Sequence, residues 1–276
     1  MADHYFAVTG SGSGTGADAD NPQTYSLSNH NSAQAAASAG DTIYFLPGSY
    51  GAAPSPFSSY DNLNFVSTEV GGAVFTSASA TNHVTVVNYK QGVSLEGFKF
   101  IDYGVKVSAF ANLTPNIVRK CQFTAPTAGN YLNQGAFQGT GSYAQNYFYD
   151  CSFDVNFDGS TTSARLLNAV GSWRFERCSI SIRTSAGNTN LDILGSTVKM
   201  PSVLKNNIWK LDNSGITVGT TLTLNADSTY SCFYNMGTHN AATGTNIEAD
   251  PQFVDSANGD LRLRPTSPCI GAGTAS

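Results

Sequence analysis

The chain has 276 residues, of which 14 are Lys or Arg and 19 are Asp or Glu, and its formal net charge is −5. Basic residues this sparse and scattered exclude a protein that follows a nucleic-acid backbone, and no apolar run approaches the roughly 20 residues that a membrane helix needs. We therefore expect neither nucleic acid nor a membrane as a partner. The opening residues, MADHYFAVTG, lack the basic start and the apolar run of a signal peptide. We expect a virion-associated protein or one released by lysis, or an extracellular protein if an export signal was trimmed.

Helical periodicity is almost absent, and the chain predicts an all-β protein with one helix near its start. The segment SNHNSAQAAASAG places a helix at about Asn29 to Ala39, after polar cap residues and before Gly40. The next segment, DTIYFLPGSYG, predicts a strand that ends at Pro47 and Gly48.

Six later segments repeat one pattern, in the order LEGFKF, VRKCQF, FYDCSF, FERCSI, LKNNIW and YSCFYN. When they are aligned, one shared position is occupied by Phe98, Cys121, Cys151, Cys178, Asn207 and Cys232. A large apolar residue follows two positions later in every segment, and subtraction gives steps of 23, 30, 27, 29 and 25 residues between the shared positions. This period, with short strands and no helices, predicts a solenoid of β coils.

The alignment also gives the cysteines a structural interpretation. Cys121, Cys151, Cys178 and Cys232 are predicted to stack in one interior column, with neighbours about 4.8 Å apart. A free cysteine behaves there as a small buried hydrophobe. The five cysteines of the chain include no CxxC pair and no zinc-like spacing, so a metal role for the thiols is not expected.

Both ends of the chain resemble right-handed parallel β-helix proteins of the pectate-lyase-like superfamily. The resemblance rests on YFAVTGSGSGTGADADNPQT, the helix and GDTIYFLPGSYG at the start, and on DPQFVDSANGDLRLRPTSPCIGAG near the end. It implies one domain, 1–276, with an N-terminal strand and capping helix at 1–40, coils at 41–249 and a closing segment at 250–276 in which Cys269 packs as a buried residue. Members of the superfamily include polysaccharide lyases, glycoside hydrolases, epimerases, phage tailspikes and non-catalytic surface proteins.

The stretch YDCSFDVNFDGS, at 149–160, admits two interpretations. Its spacing resembles the start of a calcium loop, but the twelfth position of such a loop, which needs an acid, is Arg165. As a strand, it turns Cys151 and Phe153 inward and presents its polar residues, among them Asp154 and Asn156, on the outer side. The strand interpretation agrees with the repeat and is preferred.

If the register of the repeat holds, the neighbouring coils complete an exposed polar patch. Its predicted members are Asp154, Asn156, Asp158, Arg183, Lys210 and Asp212. Ideal strand geometry separates Asp154 from Asp158 by about 13 Å and from Asp212 by about 12 Å. A glycosidase needs a carboxyl pair about 5 to 9.5 Å apart, so the patch disfavours glycoside hydrolysis.

Cleavage by β-elimination needs a cation that neutralises the sugar carboxylate and a base that removes the α-proton. Lys210 and Arg183 are the candidate catalytic residues for these two roles. Asn156, Asp212 and Asp158 are candidate substrate-binding residues, and Asp154 with Asp158 is a candidate Ca²⁺ site, although no cofactor is required. The family resemblance supports a Lys or Arg base only by residue type, because no complete lyase motif is present.

Two functional hypotheses remain open. The first is a carbohydrate-active β-helix protein that binds an extended, acidic polysaccharide on its coil face, either without cleaving it or with cleavage by β-elimination as in a polysaccharide lyase. The second is a non-catalytic virion or surface protein that uses the β-helix as a rigid scaffold or adhesin, as a homotrimer or within a virion. The patch itself has a third interpretation, as a solvated sheet face on which cross-strand ion pairs contribute only about 0 to 1 kcal/mol.

Overall fold

The computed structural model describes residues 3–54, 56–77, 83–88, 90–102, 104–108, 114–129, 137–140, 145–158, 164–169, 172–184, 190–194, 203–212, 217–218, 229–236 and 245–273. These residues form short strands, the helix α1 (Leu27–Ala36) and a 3-10 turn at Ser256–Asn258. No helix in these ranges is long and apolar enough to cross a membrane.

Most of the strands are only two to six residues long. In chain order, the first thirteen are β1 (His4–Ala7), β2 (Gln23–Thr24), β3 (Thr42–Phe45), β4 (Gly48–Ser49), β5 (Asn64–Ser67), β6 (Ala73–Thr76), β7 (His83–Asn88), β8 (Ser94–Glu96), β9 (Lys99–Ile101), β10 (Gly104–Ser108), β11 (Asn116–Arg119), β12 (Gln122–Gly129) and β13 (Phe137–Thr140). The others are β14 (Gln145–Tyr149), β15 (Ser152–Asp158), β16 (Ala164–Ala169), β17 (Ser172–Glu176), β18 (Ser179–Thr184), β19 (Asn190–Leu194), β20 (Val203–Lys205), β21 (Ile208–Asp212), β22 (Thr217–Val218), β23 (Cys232–Tyr234), β24 (Ile247–Glu248), β25 (Phe253–Asp255) and β26 (Asp260–Leu263).

Three parallel sheets run along the molecule. Sheet 1 has the order β2-β1-β3-β5-β8-β11-β14-β17-β20, sheet 2 the order β24-β23-β21-β18-β15-β12-β9-β6-β4, and sheet 3 the order β22-β19-β16-β13-β10-β7. A coil passes through one strand of each sheet, as in β14, β15 and β16, and every strand pairs in parallel with its equivalents in the neighbouring coils. These pairings confirm the predicted parallel β-helix with one N-terminal helix.

The interior of the coils is filled by side chains from alternate strand positions. In β15, Phe153 and Val155 are 1% and 5% exposed. Rings at equivalent positions stack from coil to coil: the centroids of Phe75, Phe100, Phe123 and Phe153 are successively 5.9, 5.1 and 5.0 Å apart. Burial of a Phe side chain stabilises the fold by about 1.5 to 3 kcal/mol, and the rings form offset stacks of the kind that aromatic pairs prefer.

The corner between sheet 1 and sheet 2 repeats the same backbone turn in each coil. Its residues have φ between +53° and +81°, and they are Gly97, Lys120, Asp150, Arg177, Asn206 and Tyr230. The amide of Lys120 donates to the carbonyl of Tyr149 at 2.9 Å, and that of Asp150 to the carbonyl of Glu176 at 3.0 Å. Each corner is thus hydrogen-bonded to the next one, which keeps successive coils in register.

The residue after each corner lies at the shared position of the repeat, and at this position the structure corrects one prediction. Cys121, Cys151 and Cys178 stack inside the coil and are 0 to 2% exposed; burial raises the pKa of Cys121 to about 12, as expected for structural thiols. Cys232, however, pairs with Ile208, whose equivalents in the neighbouring coil are outward residues. It therefore lies on the outer face of sheet 2. The predicted fourth member of the column is wrong by one residue, a slip that reverses the side of the sheet.

Helix α1 covers the N-terminal end of the coils, as predicted, and begins and ends two to three residues earlier than expected. Ser26 is its N-cap and accepts a hydrogen bond from the amide of Asn29 at 3.1 Å. Its inner face buries His30, Ala33 and Gln34. The cap therefore joins the coils through Ala33 and through two buried polar side chains, His30 and Gln34, which contact the carbonyl oxygen of Phe57.

The closing segment folds back onto the outside of the coils. β25 and β26 form an antiparallel hairpin through the 3-10 turn and Gly259, and the hairpin lies back against the outer face of sheet 2, where β26 contacts β18. Gly259 has φ +78°, and a Cβ atom there would lie 3.1 Å from Asp154 Oδ2. Glycine is favoured at this position both by the left-handed backbone and by the close approach.

Candidate functional site

The outward positions of sheet 2 form three polar columns that cross the coils. The columns are Gln122, Ser152 and Ser179; Thr124, Asp154, Ser181 and Lys210; and Asn156, Arg183 and Asp212. The second and third columns have the register that the alignment predicted. The sequence therefore placed these residues side by side correctly, and the structure adds what covers them.

Arg183 and Asp154 form a bidentate ion pair across two coils. Arg183 Nε lies 3.0 Å from Asp154 Oδ1, and Arg183 Nη2 lies 2.6 Å from Asp154 Oδ2. The third guanidinium nitrogen, Nη1, donates to the carbonyl of Ala257 in the hairpin at 2.7 Å. Burial raises the pKa of Asp154, and the adjacent guanidinium opposes that rise. The guanidinium is thus occupied by the protein itself on all three nitrogens.

Lys210 and Asp212 are also engaged with the C-terminal segment. Lys210 Nζ lies 3.1 Å from Asp212 Oδ1 and 3.4 Å from Asp250 Oδ1, and 6.0 Å from the centre of the Tyr234 ring. Asp212 Oδ2 accepts a hydrogen bond from Ser256 Oγ at 2.9 Å. Both residues anchor the chain that leaves the last coil.

The expectation of an open, exposed patch is therefore wrong for its central residues. Asp154 is only 4% exposed, and the side chains of Arg183 and Lys210 are 21% and 12% exposed. The physical reason is that the closing hairpin lies over them. The side chains of Asn156 and Asp158 lie outside the described part of the structure, so their predicted roles in substrate binding stay predictions.

Of the predicted calcium pair, Asp154 is already engaged by the protein, and the side chain of Asp158 lies outside the described part of the structure. Both oxygens of Asp154 accept from Arg183, which already neutralises the carboxylate. Among the residues that the structure describes, no three His, Cys, Asp or Glu side chains are grouped in a way that could hold a metal ion. Ca²⁺ needs six to eight oxygen ligands, and the described residues around Asp154 do not supply such a set.

A polar groove remains open beside the covered patch. It has a volume of about 310 Å³ and is lined by Gln122, Ser152, Ser179, Gly259, Asp260, Leu261 and Arg262. One wall is the first polar column of sheet 2 and the other is strand β26. Hydroxyl and amide groups therefore follow one another at the spacing of the coils, about 4.8 Å.

The hairpin wall of this groove carries one ion pair. Arg262 Nε and Nη2 lie 2.8 and 2.6 Å from the two carboxylate oxygens of Asp260. Hydrogen bonds from Arg262 lower the pKa of Asp260 to about 2. The Arg262 side chain is 81% exposed, and its Nη1 takes no part in the ion pair. A charged donor is thus available at the rim of the groove.

Sequence reasoning missed this groove because only one of its walls is visible in the repeat. Gln122, Ser152 and Ser179 were recognisable as an outward column. The alternation Asp260, Leu261, Arg262 predicts a strand with polar residues on one side, but nothing in it indicates the sheet on which the strand lies.

Comparison with known proteins adds little on function. No family model and no curated protein matches the sequence. Among similar solved structures are pectate lyase Pel9A, with 14% identity, a TM-score of 0.47 and coverage of 99% of this chain and 92% of that one, and a rhamnogalacturonan lyase, with 12% identity, a TM-score of 0.39 and coverage of 98% and 97%. Identities this low concern the fold alone, and TM-scores below 0.5 support no conclusion about the site. The chain is a parallel β-helix protein, as its strand pairing shows.

Proposed function

We propose that the protein binds an extended polysaccharide in the groove between the outer face of sheet 2 and the C-terminal hairpin. The observation that carries the proposal is the polar column Gln122, Ser152 and Ser179, which faces β26 across an open space of about 310 Å³. Hydroxyl and amide groups are suitable partners for sugar hydroxyls, and their repetition from coil to coil suits a polymer better than a small molecule.

The exposed guanidinium of Arg262 supports an acidic polysaccharide. Arg262 binds Asp260 through two nitrogens and leaves Nη1 for a ligand. A sugar carboxylate bound there would gain a charge-assisted hydrogen bond, which contributes more than a neutral one. The paired Asp260 holds the guanidinium in place and lowers the conformational entropy that binding must overcome.

We further propose that binding occurs without cleavage while the hairpin is closed. Lys210 and Arg183, the candidate base and neutralising cation, contact the hairpin and the residues before it rather than the groove. β-Elimination through these residues would require the hairpin to move away. Assembly as a homotrimer or within a virion stays a prediction, which the mass of the particle in solution will check.

Binding is tested by titrating the protein with polygalacturonate, alginate and an uncharged polysaccharide. We expect Arg262→Gln to weaken binding of the acidic polymers by roughly ten- to a hundredfold, since a hydrogen bond to a charged group contributes about 1.5 to 3 kcal/mol. Arg264→Gln is the matched control: it removes the same charge from the same hairpin, but Arg264 donates to the carbonyl of Val254 and does not line the groove. Equal affinities of the two variants, or no binding by the wild type, would contradict the proposal.

Cleavage is tested in the same samples, with and without Ca²⁺, by absorbance in the band of unsaturated uronates. We expect no increase. A steady increase that disappears in Lys210→Ala would replace the binding proposal by a lyase whose site lies under the hairpin. A second variant, Ser152→Tyr, places a bulky ring in the groove and should abolish binding without touching Lys210.

A further inference from the structure

Two thiols meet where the C-terminal segment covers the last coil. Cys232 begins β23 and faces outward, and Cys269 follows Pro268 near the end of the described chain. Cys232 and Cys269 line one small cavity and lie close enough to affect each other's ionisation, and Cys232 Sγ lies 3.2 Å from the carbonyl oxygen of Ala249. Cys232 is 3% exposed, whereas Cys269 is half-buried, so the pair has one sheltered and one accessible sulfur.

Each thiol is held in place by backbone contacts that do not involve the other. The amide of Cys232 donates to the carbonyl of Asn207 at 2.8 Å. The amide of Cys269 donates to Ser267 Oγ at 3.2 Å, and that hydroxyl donates to the carbonyl of Pro251 at 2.6 Å. The two residues are therefore brought together by the fold, not by their sulfur atoms.

The surroundings leave room for a bond to form between the sulfurs. A cavity of about 70 Å³ is lined by both Cys232 and Cys269. A disulfide needs its Cβ atoms about 3.5 to 4.5 Å apart and a dihedral angle near 90°. Both side chains border this cavity, which leaves them room to change rotamer.

The two sulfurs also differ in reactivity, and the accessible sulfur of Cys269 is the more reactive one. The neighbouring Cys232 thiol lowers the pKa of Cys269, while the Cys269 thiol and burial raise the pKa of Cys232. The accessible thiol is thus the better source of thiolate, which is the nucleophile in thiol–disulfide exchange. The interior thiols Cys121, Cys151 and Cys178 are 0 to 2% exposed and are closed to an oxidant.

We propose that Cys232 and Cys269 form a disulfide that fastens the C-terminal segment to the last coil when the protein meets a low-molecular-weight disulfide such as oxidised glutathione. The Cys269 thiolate attacks one sulfur of the oxidant, forms a mixed disulfide and expels one thiolate. The Cys232 thiolate then attacks the Cys269 sulfur, forms the protein disulfide and expels the second thiolate. Two protein thiols lose two electrons and two protons, and the oxidant is reduced to two thiols.

The disulfide would close a loop of 37 residues, from 232 to 269 by subtraction. It would hold the segment that includes Asp250, whose carboxylate contacts Lys210, and would keep the hairpin on sheet 2. A bond across a loop of this length restricts the unfolded chain. We expect oxidation to raise the melting temperature by about 5 to 10 °C.

The test is to equilibrate the full chain with oxidised glutathione, denature it in acid so that thiol exchange stops, and count its free thiols. The reduced protein has five cysteines, so we expect five thiols before oxidation and three afterwards, with Cys232 linked to Cys269 in the peptide map. Cys269→Ser should retain its four thiols, Cys232→Ser should stop at a glutathione adduct on Cys269 with three free thiols, and neither variant should show a rise in melting temperature. Five thiols after oxidation, a glutathione adduct that never resolves, or a link between Cys151 and Cys178 would overturn the proposal, and these readouts need no variant to fold.

Discussion

The two ends of the β-helix are covered by different kinds of contact. At the N-terminal end, α1 buries His30 and Gln34, whose ring nitrogen Nε2 and amide nitrogen lie 2.9 and 3.3 Å from the carbonyl oxygen of Phe57, amid a cluster of rings. At the C-terminal end, the hairpin is held on sheet 2 by polar contacts, such as the one from Arg183 to the carbonyl of Ala257. A buried ring contributes several kcal/mol to stability, whereas a partly exposed ion pair contributes about 0 to 1 kcal/mol.

This comparison indicates which end opens first. The N-terminal cap is part of the aromatic core and should unfold only with the coils. The hairpin covers the outside of a sheet that is complete without it, so its loss leaves the core closed. Elements of this kind lie at the low end of the range of local stabilities.

The largest expected effect is that of Phe57→Ala at the N-terminal end. The Phe57 ring is fully buried, and its centroid lies 5.3 to 5.9 Å from those of His30, Phe45, Phe65, Phe75 and Phe98. Removing it should lower the free energy of unfolding by about 4 kcal/mol, because the coils cannot collapse around the space. Urea unfolding measures the loss.

The control for this prediction is Tyr60→Ala, which removes a nearby ring that is 43% exposed. We expect a change within about 0.5 kcal/mol. If both variants lost the same stability, the N-terminal ring cluster would not be the source of the difference between the two ends.

The second effect is the response of the N-terminal end to acid. Burial lowers the pKa of His30 from 6.5 to about 4. Between pH 6.5 and 4 the unfolded chain binds a proton that the folded chain does not, so stability is fully present above pH 6.5 and falls by about 3 kcal/mol as the pH drops to 4. Urea midpoints of the wild type and His30→Gln should therefore converge towards pH 4.

A matched variant is His4→Gln, since His4 is half-buried and its Nε2 lies 3.0 Å from Gln23 Oε1. We expect it to keep the acid sensitivity of the wild type. A His30→Gln protein whose midpoint fell as steeply as that of the wild type would rule out His30 as the cause.

At the C-terminal end, the pH dependence of stability has the opposite sign. Burial raises the pKa of Asp154, so this group contributes stability below pH 3.8 that is lost as the pH rises through its folded pKa.

Much of the fold could be predicted because each coil repeats the same signals. The apolar residue two positions after the shared position, as in Phe123, Phe153 and Ile180, fixes which side of the strand faces inward, and the pairing of Asn156 with Arg183 and Asp212 followed from it. The same reasoning failed at YSCFYN, because Ser231 rather than Cys232 follows the corner at Tyr230. Both Phe233 and Tyr234 are large enough to fill the inner position, so the sequence admits two registers.

The covering of the candidate site could not be predicted from the same pattern. A polar outward residue is compatible with water, a ligand or another segment of the chain above it. The contacts that cover the site join residues up to 74 positions apart. Arg183 binds the backbone carbonyl of Ala257, and a backbone carbonyl leaves no mark in the sequence, because every residue has one. The groove beside Ser152 could not be predicted either, because its second wall is formed by the hairpin that packs on sheet 2.

The smallest effect tests how the hairpin approaches sheet 2. Gly259→Ala keeps φ at +78° and places a Cβ atom 3.1 Å from Asp154 Oδ2 and 3.6 Å from Thr124 Cγ2, so the hairpin must shift away from the Arg183–Asp154 pair. Gly271→Ala imposes the same backbone strain, at φ +75°, with no atom within 4 Å of the added Cβ. We expect Gly259→Ala to lower the local stability of the hairpin by about 1 to 2 kcal/mol. Amide exchange across β25 and β26 should then rise about tenfold or more, while the exchange of α1 is unchanged.

The control, Gly271→Ala, should leave the exchange of the hairpin as in the wild type. Faster exchange throughout the chain in Gly259→Ala would mean that the hairpin is part of the cooperative core, and the contrast between the two ends would disappear.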